Sequence, residues 1–227
     1  MLEKNDLAQV LEELKEGMET FADTFPVEDF AQGDYKQYPA ITLLNCADSR
    51  TPVSIFGPLF NRVFCIENIG NQVKSNEGSI LYGLLHLHTP LMIVAGHTDC
   101  GALKAAGSNF VDEPFSLRNE LSTVKKSLEE AQASFQGNLS DDPPIRYSQL
   151  SELNVDMQIN YLLSNPGVKE LVEAGKLMLL GLQIDLHNIW GEGHGKIFTV
   201  NVNGQNNIAA FPPQTPEWFR QRARRST

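Results

Sequence analysis

The sequence contains few cysteines, only three among 227 residues. Because an odd number of thiols cannot all pair with one another, the chain is not a disulfide-stapled scaffold, and its thiols are available for metal binding or for packing. The first ten residues, MLEKNDLAQV, lack the apolar stretch of a signal peptide. These observations together predict a cytoplasmic protein, in a compartment where thiols stay reduced.

Long hydrophobic runs and an excess of basic residues are also missing. The most apolar stretch, residues 84–94, is interrupted by two histidines and a proline, so it is too short and too polar to span a bilayer. With 18 lysines and arginines against 28 acidic residues, the net charge of −10 disfavours nucleic-acid binding. We therefore expect neither a membrane nor a nucleic acid as partner. Four arginines near the end predict a solvated helix face or a frayed terminus: Arg220, Arg222, Arg224 and Arg225.

Short apolar runs alternate with segments of helical periodicity. Five runs predict buried parallel strands, at residues 40–45, 62–66, 91–96, 176–182 and 197–202. Helical spacing is found between them, at residues 77–88, 116–135, 149–164 and 168–174, with Asn76 as the expected N-cap of the first. The alternation predicts an α/β fold, a single domain whose mainly parallel central sheet of about five strands is flanked by helices.

The ends of the chain predict helical additions to this domain. Residues 6–22 have an amphipathic pattern, and their apolar stripe could pack on the same domain or on a second subunit. We therefore divide the chain into an N-terminal helical arm at residues 1–36, an α/β domain at 37–210 and a C-terminal helical tail at 211–227. The run Asp141–Pro144 is predicted to be a loop inside the domain.

Potential metal ligands follow two of the predicted strands. Cys46 comes directly after the first strand, and His97 and Cys100 follow the third. In parallel sheets the carboxyl ends of strands meet at one edge. Two thiolates and an imidazole suit tetrahedral zinc, and a set of three leaves a fourth position open, unless Asp48 fills it. The alternative is that the cysteines are only small buried packing residues, which is the prediction for the mid-strand Cys65.

Asp48 and Arg50 lie close enough in sequence to form a charge-assisted pair. The functional interpretation is that Arg50 keeps Asp48 ionised and aimed at a metal-bound water. The other interpretation is an ordinary salt bridge in a loop, and the residues alone leave both open. His86 and His88 are candidates for a proton path by residue type alone, although their place in a predicted helix favours packing or surface roles.

Two motifs resemble those of the β-carbonic anhydrases. Residues 46–50, CADSR, match the C-x-D-S-R motif of that family, and residues 96–101, GHTDCG, match its G-H-x-x-C-G motif. Weaker likeness at residues 68–71 and 78–82 extends the similarity to roughly residues 7–202. The resemblance implies a carbonate dehydratase, a lyase that reversibly hydrates carbon dioxide to bicarbonate and a proton by attack of zinc-bound hydroxide. It places zinc on Cys46, His97 and Cys100, with Asp48 and Arg50 beside the metal.

The resemblance also implies a substrate pocket and an oligomer. Gln37, Phe64, Tyr82 and Gly101 match positions that bind substrate in the family, with Gln37 donating a hydrogen bond to carbon dioxide. A homodimer or a higher homo-oligomer is expected. Family members divide between an open state and a closed one in which the carboxylate matching Asp48 binds the metal. Gln37 and Phe64 favour the open state.

Some positions depart from the family pattern. Glu67 stands where the family usually has arginine, and Leu81 where it often has glutamate. The segment 183–196 is longer and more polar than the usual turn, and its notable residues are Asp185, His187, Trp190 and His194. Two alternatives to carbon dioxide hydration therefore stay open: hydrolysis of carbonyl sulfide or carbon disulfide on the same fold, and a catalytically silent zinc-binding paralogue.

Overall fold

A computed structural model describes residues 6–28, 30 and 35–227 of the chain. Its strands are β1 (Ile41–Cys46), β2 (Val63–Asn68), β3 (Leu91–His97), β4 (Met178–Asp185) and β5 (Lys196–Val202). They form one sheet in the order β2-β1-β3-β4-β5, in which every neighbouring pair is parallel except β4 and β5. The predicted α/β fold with a mainly parallel sheet of five strands is confirmed.

Helices precede and connect the strands. They are α1 (Leu7–Asp23), α2 (Glu77–Leu81), α3 (Gly101–Ala106), α4 (Phe115–Ser134), α5 (Pro143–Ser164), α6 (Pro166–Glu173) and α7 (Glu217–Gln221). A π-helical turn, Tyr82–His86, continues α2. Among the residues that the structure describes, no helix combines the length and the apolar character needed to cross a membrane.

The backbone divides into two units, residues 1–37 and residues 38–227. Helix α1 belongs to the first unit, and the side chain of its N-cap Asp6 accepts a hydrogen bond from the backbone N–H of Ala8. The apolar residues of α1 recur at helical spacing and so share one face. The sheet and the other six helices belong to the second unit.

Both faces of the sheet are covered, which explains why its strands are apolar without alternation. On one face, Leu44 and Val94 pack with Val155 and other residues of α5. On the opposite face, their sequence neighbours pack against the segment that follows β5, including Phe211. Because successive side chains of a strand point to opposite faces, each strand contributes to both clusters.

The close approach of α5 to β3 sets the position of the residue that ends β3. A Cβ atom added to Gly96 would come within 2.7 Å of the side chains of Gln183 and Ser151 and within 2.8 Å of Val155. Any larger residue at this position would push α5 away from the sheet. Glycine therefore fixes the backbone immediately before His97.

Two local predictions about helices are corrected by the structure, and a third is confirmed only in part. The predicted loop at 141–144 instead begins α5, because proline is well tolerated in the first turn of a helix, where its missing N–H is not needed. The helix predicted over 77–88 ends as a π turn, within which Gly83 lies so close to Thr42 that a Cβ atom would overlap its hydroxyl. Asn76 occupies the N-cap position of α2 as predicted, but its side chain makes no capping hydrogen bond, because its oxygen accepts from Asn68 at 2.7 Å.

The arginines near the end of the chain are not a solvated cluster, so that prediction was wrong. Arg225 is largely buried and pairs with Asp156 on α5 at 2.8 Å. Arg220 donates to backbone carbonyl groups, including that of Thr215 at 3.1 Å, and Arg222 stacks over the ring of Trp218 at 4.7 Å. The pair with Asp156 holds this segment against α5, the contacts of Arg220 and Arg222 lie within the segment, and only α7 is helical within residues 211–227.

Candidate metal centre

Three potential metal ligands converge at one edge of the sheet. Cys46 ends β1 and His97 ends β3, which are neighbouring parallel strands, while Cys100 immediately precedes α3. Their donor atoms all lie within 4.8 Å of one another, and all three residues are buried. The two sulfur atoms are 3.8 Å apart. The chain fold therefore brings together the donors that the sequence separates by 54 positions.

The geometry of these donors fits a tetrahedral zinc ion. Two sulfur ligands, each about 2.3 Å from such an ion, lie about 3.8 Å apart, which is the distance observed here. The Nε2 atom of His97 is buried and, within the described part of the chain, has no hydrogen-bond partner. Its Nδ1 atom lies 2.9 Å from the backbone oxygen of Thr98, the outer contact typical of a histidine that binds metal through its other nitrogen. An unpaired buried nitrogen is costly, and a metal ligand role removes that cost.

Backbone and thiol hydrogen bonds favour a thiolate at this site. The hydrogen bond from Cys100 lowers the pKa of Cys46 to about 4, and the backbone N–H of Gly70 acts in the same direction. The same contact raises the pKa of Cys100, because the Cys46 thiolate disfavours a second negative charge nearby. The N–H groups of Ala102 and Leu103, in the first turn of α3, oppose that increase. The pair thus accommodates one negative charge readily, and a bound cation would stabilise a second.

His97 is affected by the same negative charge. Its burial alone would lower its pKa, but the negative charge of the nearby Cys46 thiolate raises the pKa overall. A cation therefore suits the space between these side chains, whether it is a proton or a metal ion.

Asp48 and Arg50 form a bidentate pair beside the metal donors. The Nε atom of Arg50 donates to Oδ1 of Asp48 at 2.9 Å, and Nη2 donates to Oδ2 at 2.8 Å. These hydrogen bonds lower the pKa of Asp48 to about 2, so the carboxylate is ionised at neutral pH. The Oδ2 atom also lies 3.7 Å from Nε2 of His97. The pair therefore lies beside the potential metal donors, and its part in catalysis stays a prediction.

Asp99 and Lys104 join this site without having been predicted from the sequence, and His187, which stood out only as part of a polar segment, lies beside them. Asp99 accepts a hydrogen bond from Nη1 of Arg50 at 3.2 Å and another from Lys104. The contact with Lys104 is the main reason why the pKa of Asp99 is lowered. His187 lies 3.6 Å from Asp99 and 3.2 Å from the hydroxyl of Thr98. The only available signals were the place of Asp99 inside the second motif and the unusual polarity of the segment around His187.

These residues line a cavity of about 170 Å³ next to the metal donors. Its walls also include Tyr147 of α5, whose ring lies under Lys104 at 5.5 Å from the ammonium nitrogen to the ring centroid. A space of this size accommodates a few water molecules. Solvent therefore has room close to the Asp99 side of the site.

Most of the second unit matches a known protein family. The family described as "Carbonic anhydrase" matches residues 41–197, a range that holds both motifs and all three metal donors. This chain belongs to the β-carbonic anhydrase family. The predicted enzyme class, carbonate dehydratase, is confirmed at the level of the family.

Individual relatives agree with this assignment. The chain is 26% identical to "Carbonic anhydrase" of Saccharomyces cerevisiae over 162 residues, which cover 67% of this chain and 71% of the relative. It is 31% identical to "Carbonic anhydrase" of Synechococcus elongatus, over 68% of this chain and 58% of the relative. A solved structure from Sordaria macrospora, described as one of two tetrameric β-carbonic anhydrases, superposes with a TM-score of 0.64 at 25% identity, covering 86% of this chain and 95% of that chain.

Two of the substrate residues expected from other β-carbonic anhydrases, Phe64 and Tyr82, lie away from the metal donors of their own chain. Phe64 and Tyr82 contact each other, with ring centroids 6.0 Å apart. Phe64 is level with Thr42, four residues before Cys46, which at about 3.3 Å per residue corresponds to roughly 13 Å along the strand. Gly101 begins α3 beside Cys100. Gln37 is the last residue of the first unit, and its role and those of the other three stay predictions.

The departures from the β-carbonic anhydrase pattern have structural consequences. Glu67 accepts a hydrogen bond from Asn45 at 3.3 Å, so it is tied to β1. Leu81 is half-buried against the core on the α5 side. Part of the segment predicted as a long turn is strand, since β4 continues to Asp185, whose carboxylate accepts from the backbone N–H groups of His187 and Trp190. Hydrogen bonds to Asp185 therefore order this segment, which lies against the metal centre.

Three other predictions concern residues farther along the chain. His86 and His88 are exposed, and His86 stacks on Tyr82 with ring centroids 4.6 Å apart. Their proposed part in a proton path stays untested. The prediction that Cys65 is a core residue was wrong: it is exposed, because β2 is an edge strand of the sheet.

Proposed function

We propose that this chain catalyses the reversible hydration of carbon dioxide to bicarbonate and a proton, with Zn²⁺ held by Cys46, His97 and Cys100. The observation that carries the proposal is the unpaired, buried Nε2 of His97 facing two sulfur atoms 3.8 Å apart. When bound at such a site, zinc lowers the pKa of water to about 7, so that a nucleophile exists at neutral pH. Family membership supports carbon dioxide as the substrate.

The side chains next to the metal donors orient the reactants. Asp48 carries a full negative charge at neutral pH because Arg50 lowers its pKa to about 2. Its Oδ2 atom can accept a hydrogen bond from the attacking water and so direct a lone pair of that water at the carbon of carbon dioxide. Arg50 keeps the carboxylate in place through two hydrogen bonds. The proton released leaves toward solvent, and His86 and His88 stay candidates for its path.

We further propose that Gln37, Phe64, Tyr82 and Gly101 bind substrate in this chain, as they do in the family. Gln37 would donate a hydrogen bond to an oxygen of carbon dioxide. Because Phe64 and Tyr82 lie away from the metal donors of their own chain, their rings would form an apolar wall at the metal centre of a second subunit. A homodimer or larger homo-oligomer is supported by the relative that is described as tetrameric. A reducing compartment such as the cytoplasm is supported by the free state of all three cysteines.

The proposal is tested by metal analysis and stopped-flow carbon dioxide hydration on the native chain and on Cys46→Ser. We expect about one zinc per native chain and rapid hydration, and the loss of both in the variant, because a hydroxyl replaces a thiolate ligand. Cys65→Ser is the matched control, since it removes an exposed thiol outside the site. It should retain both zinc and activity.

Three outcomes would contradict the proposal. A native chain without zinc would remove its basis. Zinc without hydration would indicate a catalytically silent paralogue. Faster turnover of carbonyl sulfide or carbon disulfide than of carbon dioxide, measured on the same preparation, would indicate the alternative hydrolase.

A further inference from the structure

We propose that Asp99 is a positioning residue, which locks Arg50 onto Asp48 and thereby keeps Asp48 from occupying the fourth ligand position of the metal. This inference rests on the metal site of the proposed function. It concerns the state of that site, open or closed, and names the residue that decides between the two.

Arg50 is held between two acidic residues from different loops. Its Nε and Nη2 atoms donate to the carboxylate of Asp48. On its other side, Nη1 donates to the carboxylate of Asp99 and Nη2 to the backbone oxygen of Asp99, both at 3.2 Å. The planar guanidinium group fixes the angle between its donors, so anchoring one side determines the direction of the other. Asp99 thus sets where Arg50 presents its donors to Asp48.

The backbone of Asp99 is adapted to this contact. It has a φ of +61°, a left-handed conformation that is uncommon for residues other than glycine and that aspartate tolerates better than most. In this conformation its carbonyl oxygen and its carboxylate both reach Arg50. A residue placed only to pair with solvent-exposed Lys104 would not need to present both groups to the same guanidinium.

Asp48 is close to a ligating position without this restraint. Its Oδ2 atom lies 3.7 Å from Nε2 of His97, whereas nitrogen and oxygen ligands of one tetrahedral zinc lie about 3.4 Å apart. A small rotation of the side chain would therefore bring the carboxylate onto the metal. The hydrogen bond from Nη2 of Arg50 to that same oxygen, and the one from Nε to Oδ1, oppose the rotation, and both weaken if Arg50 is free to turn away.

The outer side of Asp99 is supported as well. Lys104 of α3 donates to Oδ1, and His187 lies 3.6 Å from Oδ2. Thr98 fixes the neighbouring segment, since its hydroxyl accepts from the backbone N–H of Leu186 at 2.9 Å. With Arg50 on one side and Lys104 on the other, the Asp99 carboxylate lies between two cations. These contacts also connect the segment after β4 with the open or closed state of the metal centre.

The test measures anion access to the metal in the Co²⁺-substituted full-length chain. Azide is titrated and the visible absorption of cobalt is recorded, because azide binds only where a ligand position is open. We expect Asp99→Ala to weaken azide binding about tenfold, which corresponds to an open fraction of about one in ten. Asp99→Asn keeps a neutral hydrogen-bond acceptor, so its azide affinity should lie between those of the native chain and Asp99→Ala.

A double variant separates closure from general damage. Asp99→Ala combined with Asp48→Asn removes the carboxylate that would close the site, and it should bind azide as tightly as Asp48→Asn alone. Lys126→Ala is the matched control, since it removes an exposed lysine–carboxylate pair on α4 and leaves every contact of Asp99 and Arg50. Its azide affinity should stay within about twofold of the native value, as expected when the open fraction hardly changes.

The inference is overturned if Asp99→Ala binds azide like the native chain, or if the double variant binds azide as weakly as Asp99→Ala. It is also overturned if Asp99→Ala loses affinity for cobalt, because closure adds a protein ligand and should strengthen metal binding. The azide titration does not depend on turnover. An inactive native chain would therefore refute the proposed function, whereas the azide titration would still test the role of Asp99.

Discussion

Two arginine–carboxylate clusters in the second unit each contain a bidentate pair, but they lie in opposite surroundings. At the metal centre, the side chain of Arg50 is 45% exposed where it clamps Asp48. At the end of the chain, the side chain of Arg225 is only 9% exposed where it clamps Asp156, and Glu152 beside it is fully buried. Both arginines place Nη2 2.8 Å from a carboxylate oxygen.

The difference in exposure determines what each cluster can do. An exposed ion pair contributes little to folding because water solvates both partners almost as well. It can therefore rearrange during function at small cost. A buried pair leaves an unpaired charge when one partner is removed, which strongly destabilises the fold. We interpret the Arg50 cluster as part of a working site and the Arg225 cluster as the attachment of the terminal segment to α5.

The largest expected effect is on the buried cluster. Arg225→Ala should lower the free energy of unfolding by about 3–5 kcal/mol, because Asp156 and Glu152 lose their buried counterion. Arg225 also donates to the backbone oxygen of Val200 in β5 at 2.7 Å, and this contact would be lost too. Urea denaturation followed by circular dichroism measures the change. The zinc content of the folded fraction should not change.

Arg224→Ala is the matched control for this prediction. Arg224 pairs with Glu192 at 2.8 Å, and both side chains are about two-fifths exposed. Its replacement should cost less than about 1 kcal/mol. Equal losses in the two variants would show that burial does not distinguish these ion pairs, and the comparison would fail.

A smaller effect on stability is expected at the exposed cluster. Arg50→Ala should lower the free energy of unfolding by about 1 kcal/mol at neutral pH, while the pKa of Asp48 returns from about 2 toward its ordinary value of 3.8. Because the folded pKa is the lower one, the stabilisation is present above pH 3.8 and is lost as the pH falls toward 2. The difference between the native chain and the variant should therefore shrink at acidic pH.

Carboxyl-carbon NMR titration of Asp48 measures this shift directly. Lys104→Ala serves as the comparison, because Lys104 contacts Asp99 and is not among the groups that lower the pKa of Asp48. An unchanged pKa of Asp48 in Arg50→Ala would mean that the neighbouring His97, not Arg50, keeps the carboxylate ionised. The assigned role of Arg50 would then be wrong.

The metal centre was predictable because its residues follow strands whose place is set by simple rules. Cys46 and His97 each end a continuous apolar run, and parallel strands bring their carboxyl ends to one edge. No knowledge of side-chain packing was needed. The contacts of Asp99 and His187 were not predictable in this way, since they depend on a left-handed backbone and on the path of a loop.

The Arg225 cluster was missed for a different reason. Its acidic partners lie on α5, where polar residues such as Glu152, Asn154 and Asp156 are buried alongside apolar ones. Hydrophobic periodicity predicts which face of a helix is buried only when the buried residues are apolar. When polar residues are buried around much of a helix, hydrophobic periodicity predicts neither the contacts of that helix nor the residue at which it begins. The predicted helix accordingly begins at residue 149, whereas α5 begins at Pro143.

The smallest expected effect on stability is at the exposed Cys65, which the sequence wrongly predicts to be a core residue. Cys65→Ser should change the free energy of unfolding by less than about 0.5 kcal/mol, as for other surface substitutions. Burial of part of the thiol, together with the charge of Glu67, raises the pKa of Cys65 above its ordinary value of 9.0. In the zinc-loaded native chain, alkylation should therefore modify Cys65 slowly at neutral pH and keep accelerating above pH 9. Fast labelling at pH 7 that persists in Cys65→Ser would place the reactive thiol at the metal centre instead, and it would contradict a zinc-protected site.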